Sequence, residues 1–378
     1  MAELSLLPED SDDAILVGRL WIGTEIEGPR VVKVCGSSLV DLSMLAPTMS
    51  DLCDLPDPAA VVQSFKGPEL CSLEEALACG SLLAPCDLQA IKACGVTFAI
   101  SAIERVVEER AQGDAKKALN LRGDLADALG TGIDGLKPGT PDADRLKSAL
   151  IEKGVWSQYL EVAIGPDPEI FTKAQPMSAV GCGAAIGVRP DSKWNNPEPE
   201  IVLAISSSGT IIGATLGNDV NLRDFEGRSA LLLGTAKDNN ASCAIGPFIR
   251  LFDNRFSIEN IRSAIVDLSI KGSEGFDYTG SCAMSDISRT PEALVSAVFG
   301  EHHDYPDGFM LFLGTMCIPV EDRSERGMGF AHREGDLVRI HSARLGTLEN
   351  FVTATNRAPR WQFGARALMK SLSARRLL

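Results

Sequence analysis

Between about residues 170 and 352 the chain is a succession of short apolar segments, each stopped by Gly, Pro, Asn or Asp. The segments at 200–206, 210–215, 244–252, 261–270, 309–315 and 337–341 read as strands, and one helical pattern, at 291–300, interrupts them. Strands this short and this regularly punctuated build a barrel, roll or sandwich, because alternating βαβ units would need long amphipathic helices between them. The region ahead of them differs. Residues 1–92 read as a small N-terminal α/β domain with strand-like runs at 14–22, 30–34 and 39–42. Residues 93–165 read as a helical, lid-like segment. In its first helix, 96–112, apolar Ile100, Ile103, Val106 and Val107 are set against Glu104, Arg105, Glu108 and Glu109. A second helix is expected over 115–129, ending in Gly130, Gly132 and Gly135. A third starts at Asp142 or Asp144 and runs to about residue 162. The expectation is an α+β chain with a catalytic domain over 93–378.

The segment PEPEIVLAISSSGTIIGATLGNDV (197–220) has the pattern of a β-hairpin with its turn at 207–210. Centring the turn between Ser208 and Gly209 sets Glu198 opposite Asp219 and Glu200 opposite Gly217. Residues two apart on a strand share a face, so the three carboxylates project together, and Gly217 leaves space above the sheet for a ligand. Two readings of the three acids stand. They are solvated groups at the exposed end of a hairpin, or they hold a cation, since clustered carboxylates repel without one. All-oxygen ligation suits Mg²⁺, or Mn²⁺ and Ca²⁺, rather than Zn²⁺.

Lys237 follows in an apolar neighbourhood, with Leu231–Leu233 on one side and Ala244–Ile245 on the other. It is a solvated surface group or, desolvated beside a cation, a lysine of lowered pKa fit to act as a general base.

The net charge of −15 argues against nucleic acid as a partner, since phosphate binding needs clustered cations. The tail is the local exception. Residues 351–378 carry Arg357, Arg360, Arg366, Lys370, Arg375 and Arg376 and no acid, interleaved with Trp361, Phe363, Leu368 and Leu372. Such a segment (the basic tail proper is 353–378) docks on the chain's own acidic surface or a sister subunit, or else on a membrane or an outside partner. No apolar run approaches the ~20 residues of a membrane span, and the acidic N-terminus lacks the features of a secretory signal. A cytoplasmic protein is expected, with no membrane partner. The ten cysteines include no C-x-x-C pair, so free buried thiols are expected. His302 and His303 end a helical pattern, where the helix dipole or a second metal would suit them.

The run EPE with IGATLGNDVNLRDFEG resembles the metal-binding core of the fumarylacetoacetate hydrolase superfamily. So do IFTK (170–173), the spacing to Lys237, FLGT (312–315), EGD (334–336) and LGTLEN (345–350), all in order over residues 165–352. The resemblance implies a mixed β-roll that usually dimerises, so a homodimer or higher homo-oligomer is expected. It makes Glu198, Glu200 and Asp219 the Mg²⁺ ligands, Lys237 the active-site lysine and Thr315 a contact for the substrate's carboxylate.

Superfamily membership does not fix the reaction. The hydrolases of the family use a histidine–glutamate pair from a segment before the metal motif, and this chain has no histidine before His302. Residues 84–111, with GVTF and Glu108–Glu109, and PDPEIFTK (166–173) resemble the branch that dehydrates 2-keto-3-deoxy sugar acids in pentose catabolism. Where that branch often has an arginine before the P-E pair, this chain reads IGPD (164–167). The resemblance implies a Mg²⁺-dependent lyase taking a 2-keto-3-deoxypentonate to 2-oxoglutarate semialdehyde through an enolate. Lys237 and Glu169 are the acid/base candidates, and Thr315, Lys173 and Gly217 the substrate-binding ones. Glu169 alternatively caps a strand or pairs with Lys173. The other functions considered are a Mg²⁺-dependent C–C hydrolase or decarboxylase of acylpyruvate or oxaloacetate-type keto acids, and a non-catalytic binding member of the fold.

Overall fold

The computed structural model of the 378-residue chain describes residues 6–23, 26–121, 135–323 and 327–378. Two mixed sheets organise them. The larger has eleven strands, with Leu82–Leu83 pairing off its main path. Along that path the order is Glu69–Ser72, Ser38–Asp41, Gly28–Cys35, Leu16–Ile22, Cys243–Leu251, Ile211–Asp219, Pro199–Ile205, Phe309–Phe312, Ala90–Gly95 and Glu169–Ala174. The smaller sheet orders Asp277–Ala283, Ile265–Lys271, Leu337–Ser342, Gly346–Ala354 and Ala185–Val188. Each sheet holds one parallel pairing, Phe309–Phe312 with Ala90–Gly95 and Gly346–Ala354 with Ala185–Val188. Neither closes into a barrel among the described residues, so the roll is open.

Alternation along the strands decides what fills the core. Ile201, Leu203 and Ile205 point toward the smaller sheet and pack with Val266, Leu268, Ile340 and Leu348. Val202 and Ala204 point the other way, onto Leu52 and Val62 of the short helices Met49–Cys53 and Pro58–Ser64. Pro199–Ile205 is buried along its whole length, which is why its stretch from Ile201 to Ile205 reads as a continuous apolar run. Each fully buried Leu, Ile, Val or Phe contributes about 1.5–3 kcal/mol.

The boundary expected at residue 92 falls inside the strand Ala90–Gly95, and Leu16–Ile22 pairs with Cys243–Leu251, so N-terminal strands are hydrogen-bonded into the main sheet. The first expected helix is Ala99–Ala111. Of the second, residues 115–121 are helical and the remainder, with Gly130 and Gly132, lies outside the described residues. The third is two helices, Pro141–Glu152 and Gln158–Ile164, because Gly154 takes a left-handed conformation (φ +69°) between them. Residues 261–270 are likewise not one strand: Ile258–Arg262 is helical and Ile265–Lys271 extended. The helix expected at 291–300 is Pro291–Val298, started by a Thr290 cap and Pro291.

The expectation of free thiols is wrong for one pair. Cys282 and Cys317 form a disulfide with Cα atoms 6.0 Å apart, a proximity made by the fold across 35 residues, which no spacing rule reveals. The other cysteines are free. The basic tail forms the helix Ala365–Ala374 on the chain's own surface. Leu368 and Leu372 pack against Met177, Leu88 and Phe363, and Arg375 donates to the Pro29 carbonyl at 2.9 Å. Apolar contact and backbone carbonyls hold this helix. No helix among the described residues is long and apolar enough to cross a membrane.

Candidate metal centre

The hairpin register is the one the sequence implies. Gly217 pairs with Glu200, and the Asp219 amide donates to the Glu198 carbonyl at 3.0 Å. The irregularity in this ladder lies between Ile211 and Gly213, near the turn and away from the acids. Glu198, Glu200 and Asp219 therefore share a face and offer oxygens lying within 4.8 Å of one another. All three are buried, at 1% exposure or less, which removes the reading of solvated acids at a hairpin end. The space freed at Gly217 is not open to a ligand. A Cβ there would lie 2.3 Å from Phe312 Cε1 and 2.5 Å from Val202 Cγ2, so the glycine accommodates core packing.

Lys237 ends the short helix Leu233–Lys237, and its ammonium reaches into the carboxylate group. It pairs with Glu198 Oε2 and lies 3.0 Å from Asp219 Oδ2. Burial disfavours its charge, but Asp219, Glu198 and Glu226 outweigh that and raise its pKa. Lys173 is fully buried behind Asp219, 2.8 Å from Oδ1, and also donates to the backbone carbonyls of Lys237 and Val220. In this arrangement Lys173 fixes Asp219 and the end of the Lys237 helix.

Glu200 receives the Gly314 amide at 2.6 Å and the Thr315 hydroxyl at 3.4 Å. That support is insufficient for an ionised group. Burial, then Asp219 and Glu198, push its carboxyl well above the usual range. Glu198 goes the other way: burial acts to raise it, but Lys237 and Arg105 take it down to about 2. Glu169 begins the strand Glu169–Ala174 opposite Gly95, where a Cβ would meet Glu169 Oε2 at 2.0 Å. Its side chain thus lies over the glycine. It has no hydrogen bond or ion pair among the described residues, and burial raises its pKa. It does not pair with Lys173. Beside the centre a cleft of about 950 Å³ is bordered by Arg289 and by Val96, Phe98 and Met316, immediate neighbours of Gly95, Thr97 and Thr315.

The polar side of the helix Ala99–Ala111 is the feature that the sequence reading missed. Glu104, Arg105 and Glu108 are buried rather than solvated. Arg105 reaches Glu198 Oε1 at 2.9 Å, Glu108 at 2.8 Å and Glu226 at 2.6 Å, while Arg223 joins Glu104 and Glu108 at 2.6 Å each. Arg223 and Glu226 come from the short helix Arg223–Glu226, directly after Asp219. The NLRDFEG run held them in view, but nothing in it says that they turn inward. Burial raises Glu226 to about 7, Arg105 and Lys237 acting against the rise. His302 and His303 form no second centre. Among the described residues only Glu198, Glu200 and Asp219 have metal-binding spacing, and His303 instead stacks on Tyr305.

A divalent cation fits this cradle. The donors are hard oxygens, they converge, and burial, with Asp219 and Glu198 adding to it, raises the Glu200 carboxyl well above its ordinary range.

The family model described as fumarylacetoacetate (FAA) hydrolase C-terminal matches residues 155–353. The chain belongs to the fumarylacetoacetate hydrolase family. Within that family it is 34% identical over 202 residues to a probable 2-keto-3-deoxyxylonate dehydratase of Haloferax volcanii, covering 53% of this chain and 66% of that protein. It is 35% identical over 190 residues to a 2-dehydro-3-deoxy-D-arabinonate dehydratase of Saccharolobus solfataricus, covering 50% and 60%. The match thus spans less than two thirds of each of these relatives. Among solved structures, the apo form of a 2-keto-3-deoxy-D-arabinonate dehydratase superposes with a TM-score of 0.63 at 21% identity, over 92% of this chain and all of that one. A form of that enzyme complexed with magnesium and 2,5-dioxopentanoate gives a TM-score of 0.62, over 90% of this chain and 99% of that one. The fold of these neighbours is thereby shown for about nine tenths of the chain.

Proposed function

We propose that this chain is a Mg²⁺-dependent hydro-lyase that dehydrates a 2-keto-3-deoxypentonate to 2-oxoglutarate semialdehyde. The observation carrying the proposal is the buried Glu198–Glu200–Asp219 triad with Lys237 inside it and Glu169 beside it, without a hydrogen-bond or ion-pair partner among the described residues. The similarity to named dehydratases supports the choice of reaction within the family.

Glu198, Glu200 and Asp219 would hold the metal, with Mn²⁺ or Ca²⁺ as substitutes, and a bound Mg²⁺ supplies Lewis-acid polarisation of a keto oxygen. The remaining chemistry belongs to the protein. The substrate carboxylate sits at the Gly314–Thr315 turn. Lys237 Nζ removes the C3 proton, for which it must first leave its ion pairs with Glu198 and Asp219 and give up its own proton to solvent. Glu169, whose pKa burial raises, gives a proton to the C4 hydroxyl, which departs as water, and loss of a proton from C5 with return of one to C3 then turns the resulting alkene, through its enol, into the aldehyde. Lys173 keeps Asp219 in place. The helices Ala99–Ala111, Pro141–Glu152 and Gln158–Ile164 act as a cover that excludes water, and the enzyme works as a homodimer or higher homo-oligomer in the cytoplasm, without nucleic acid or membrane partners.

The test is turnover of 2-keto-3-deoxypentonates, acylpyruvates and oxaloacetate with Mg²⁺ and after chelation, with products identified. A semialdehyde formed only with metal is expected. Carbon dioxide, or a pair of carboxylic products, would make the chain a decarboxylase or hydrolase instead.

A further inference from the structure

We infer that Arg105 is a positioning residue for the metal centre: its guanidinium claims Glu198 Oε1 and leaves Oε2 as the oxygen that faces the cation. The inference rests on the metal reading of the Glu198–Glu200–Asp219 cradle, and concerns how one of its ligands is held. Each Glu198 oxygen has a different cationic partner. Arg105 Nη2 takes Oε1 at 2.9 Å, and Lys237 Nζ takes Oε2. Lys237 ends a five-residue helix, whereas Arg105 is locked. Its Nη1 is shared between Glu108 and Glu226, and Glu108 is itself fixed by Arg223 Nε. Arg223 is clamped in turn by Glu104 and lies 4.3 Å over the Trp194 ring. The result is a chain of alternating charge, Glu104–Arg223–Glu108–Arg105–Glu198, running from a helix of the 93–165 segment into the cradle.

The backbone is built to bring these groups together. Gly227 closes the Arg223–Glu226 turn, and a Cβ on it would lie 2.8 Å from the Glu108 carbonyl oxygen and 2.9 Å from the Gly113 amide nitrogen. The turn that carries Arg223 and Glu226 can therefore abut the end of the helix Ala99–Ala111 only with glycine at that position. Arginine is required at position 105 because a planar fork reaches carboxylates on two sides at once, which a lysine ammonium on a single stem cannot. With Nη1 and Nη2 both engaged by protein carboxylates, Arg105 serves the ligand Glu198 before any substrate. Groups that orient metal ligands typically carry 10–100-fold in metal affinity.

The experiment is calorimetric titration of Mn²⁺ into the substrate-free protein, comparing the native chain with Arg105→Met, Arg105→Lys and Arg323→Met. The last breaks a buried ion cluster elsewhere and serves as the structural control. Arg105→Met is expected to weaken Mn²⁺ binding about 10–100-fold, Arg105→Lys to recover part of that loss, and Arg323→Met to leave it within about twofold. Equal Mn²⁺ affinity in the native chain and Arg105→Met overturns the inference while the metal reading stands. A native chain that takes up no divalent ion overturns both. Should Arg105→Met fail to fold, Arg105→Lys carries the test, and an unchanged affinity in that variant overturns the inference.

Discussion

Two clusters of charge among the described residues, the carboxylate cradle and the group around the buried Arg323–Asp336 pair, are built to different rules. Around Arg323 the charges are matched. Its guanidinium meets both oxygens of Asp336 and one of Glu274, Arg333 also reaches Glu274, and His332 lies 3.4 Å from Asp336. Asp336 is held down to about 2, with the Arg323 and His332 hydrogen bonds overcoming burial. At the carboxylate cradle they are not matched. Glu104, Glu108, Glu169, Glu198, Glu200, Asp219 and Glu226 face Arg105, Lys173, Arg223 and Lys237, and the acids outnumber the bases. The excess appears as raised carboxyls at Glu200, Glu226 and Glu169, burial being the first cause in each. A balanced buried cluster closes a structure upon itself. An unbalanced one leaves a place for a cation and for protons, which makes it the candidate site of chemistry.

Breaking the unbalanced cluster should cost activity, and breaking the balanced one should cost stability. Glu200→Ala removes a ligand oxygen and is expected to lower turnover by about a thousandfold or more, with loss of Mn²⁺ binding by calorimetry. Full activity in that variant would end the metal mechanism. Lys237→Met is expected to cost about 10²–10⁴ in kcat while the protein stays folded by circular dichroism, the size general acid–base catalysis supplies. A variant within tenfold of the native rate would remove Lys237 from the reaction.

In the balanced cluster, Arg323→Met leaves Asp336 buried without its partner. A loss of about 3–5 kcal/mol in denaturant unfolding is expected, with Mn²⁺ affinity unchanged. The pH dependence has a definite sign. Asp336 titrates at about 2 in the folded chain against 3.8 in its unperturbed form. Its contribution, about 2 kcal/mol, is therefore present above pH 3.8 and lost as pH falls through 2. Asp336→Asn should flatten that acid limb in unfolding measured across pH. An unaltered limb would show that other carboxylates carry it. The smallest effect concerns packing beneath the cradle: Gly217→Ala should destabilise by about 1–3 kcal/mol through collision with Phe312 and Val202. A stabilised variant would mean that the face is looser than the structure has it.

The two halves of the cradle also differ in how far they could be read. Glu198, Glu200 and Asp219 were legible because strand alternation and a turn of fixed position determine which side chains share a face. Arg105, Arg223 and Glu226 were not. A helix with acids and a base opposite an apolar stripe is the pattern of a solvated face, and Ala99–Ala111 obeys that pattern while being buried on both sides. What makes its polar side an interior one is a partner of opposite charge on a four-residue helix about 120 residues away in sequence. Gly217 was misread for a similar reason: an absent side chain signals space, but only the fold says whether Phe312 fills it.

The sequence by itself determined a strand-rich region, the hairpin, its register at the acids and the family, since all of these follow from local periodicity, turn residues and ordered motifs, while the roll came only as what the family resemblance implies. The tertiary structure alone decided that the acids are buried and that Lys237 lies among them. It also decided that N-terminal strands complete the main sheet, that Cys282 meets Cys317, and that a second set of charges surrounds the cradle. The physical reason is range. Alternation and turns act over a few residues, whereas burial and charge pairing depend on what distant segments bring to the same place.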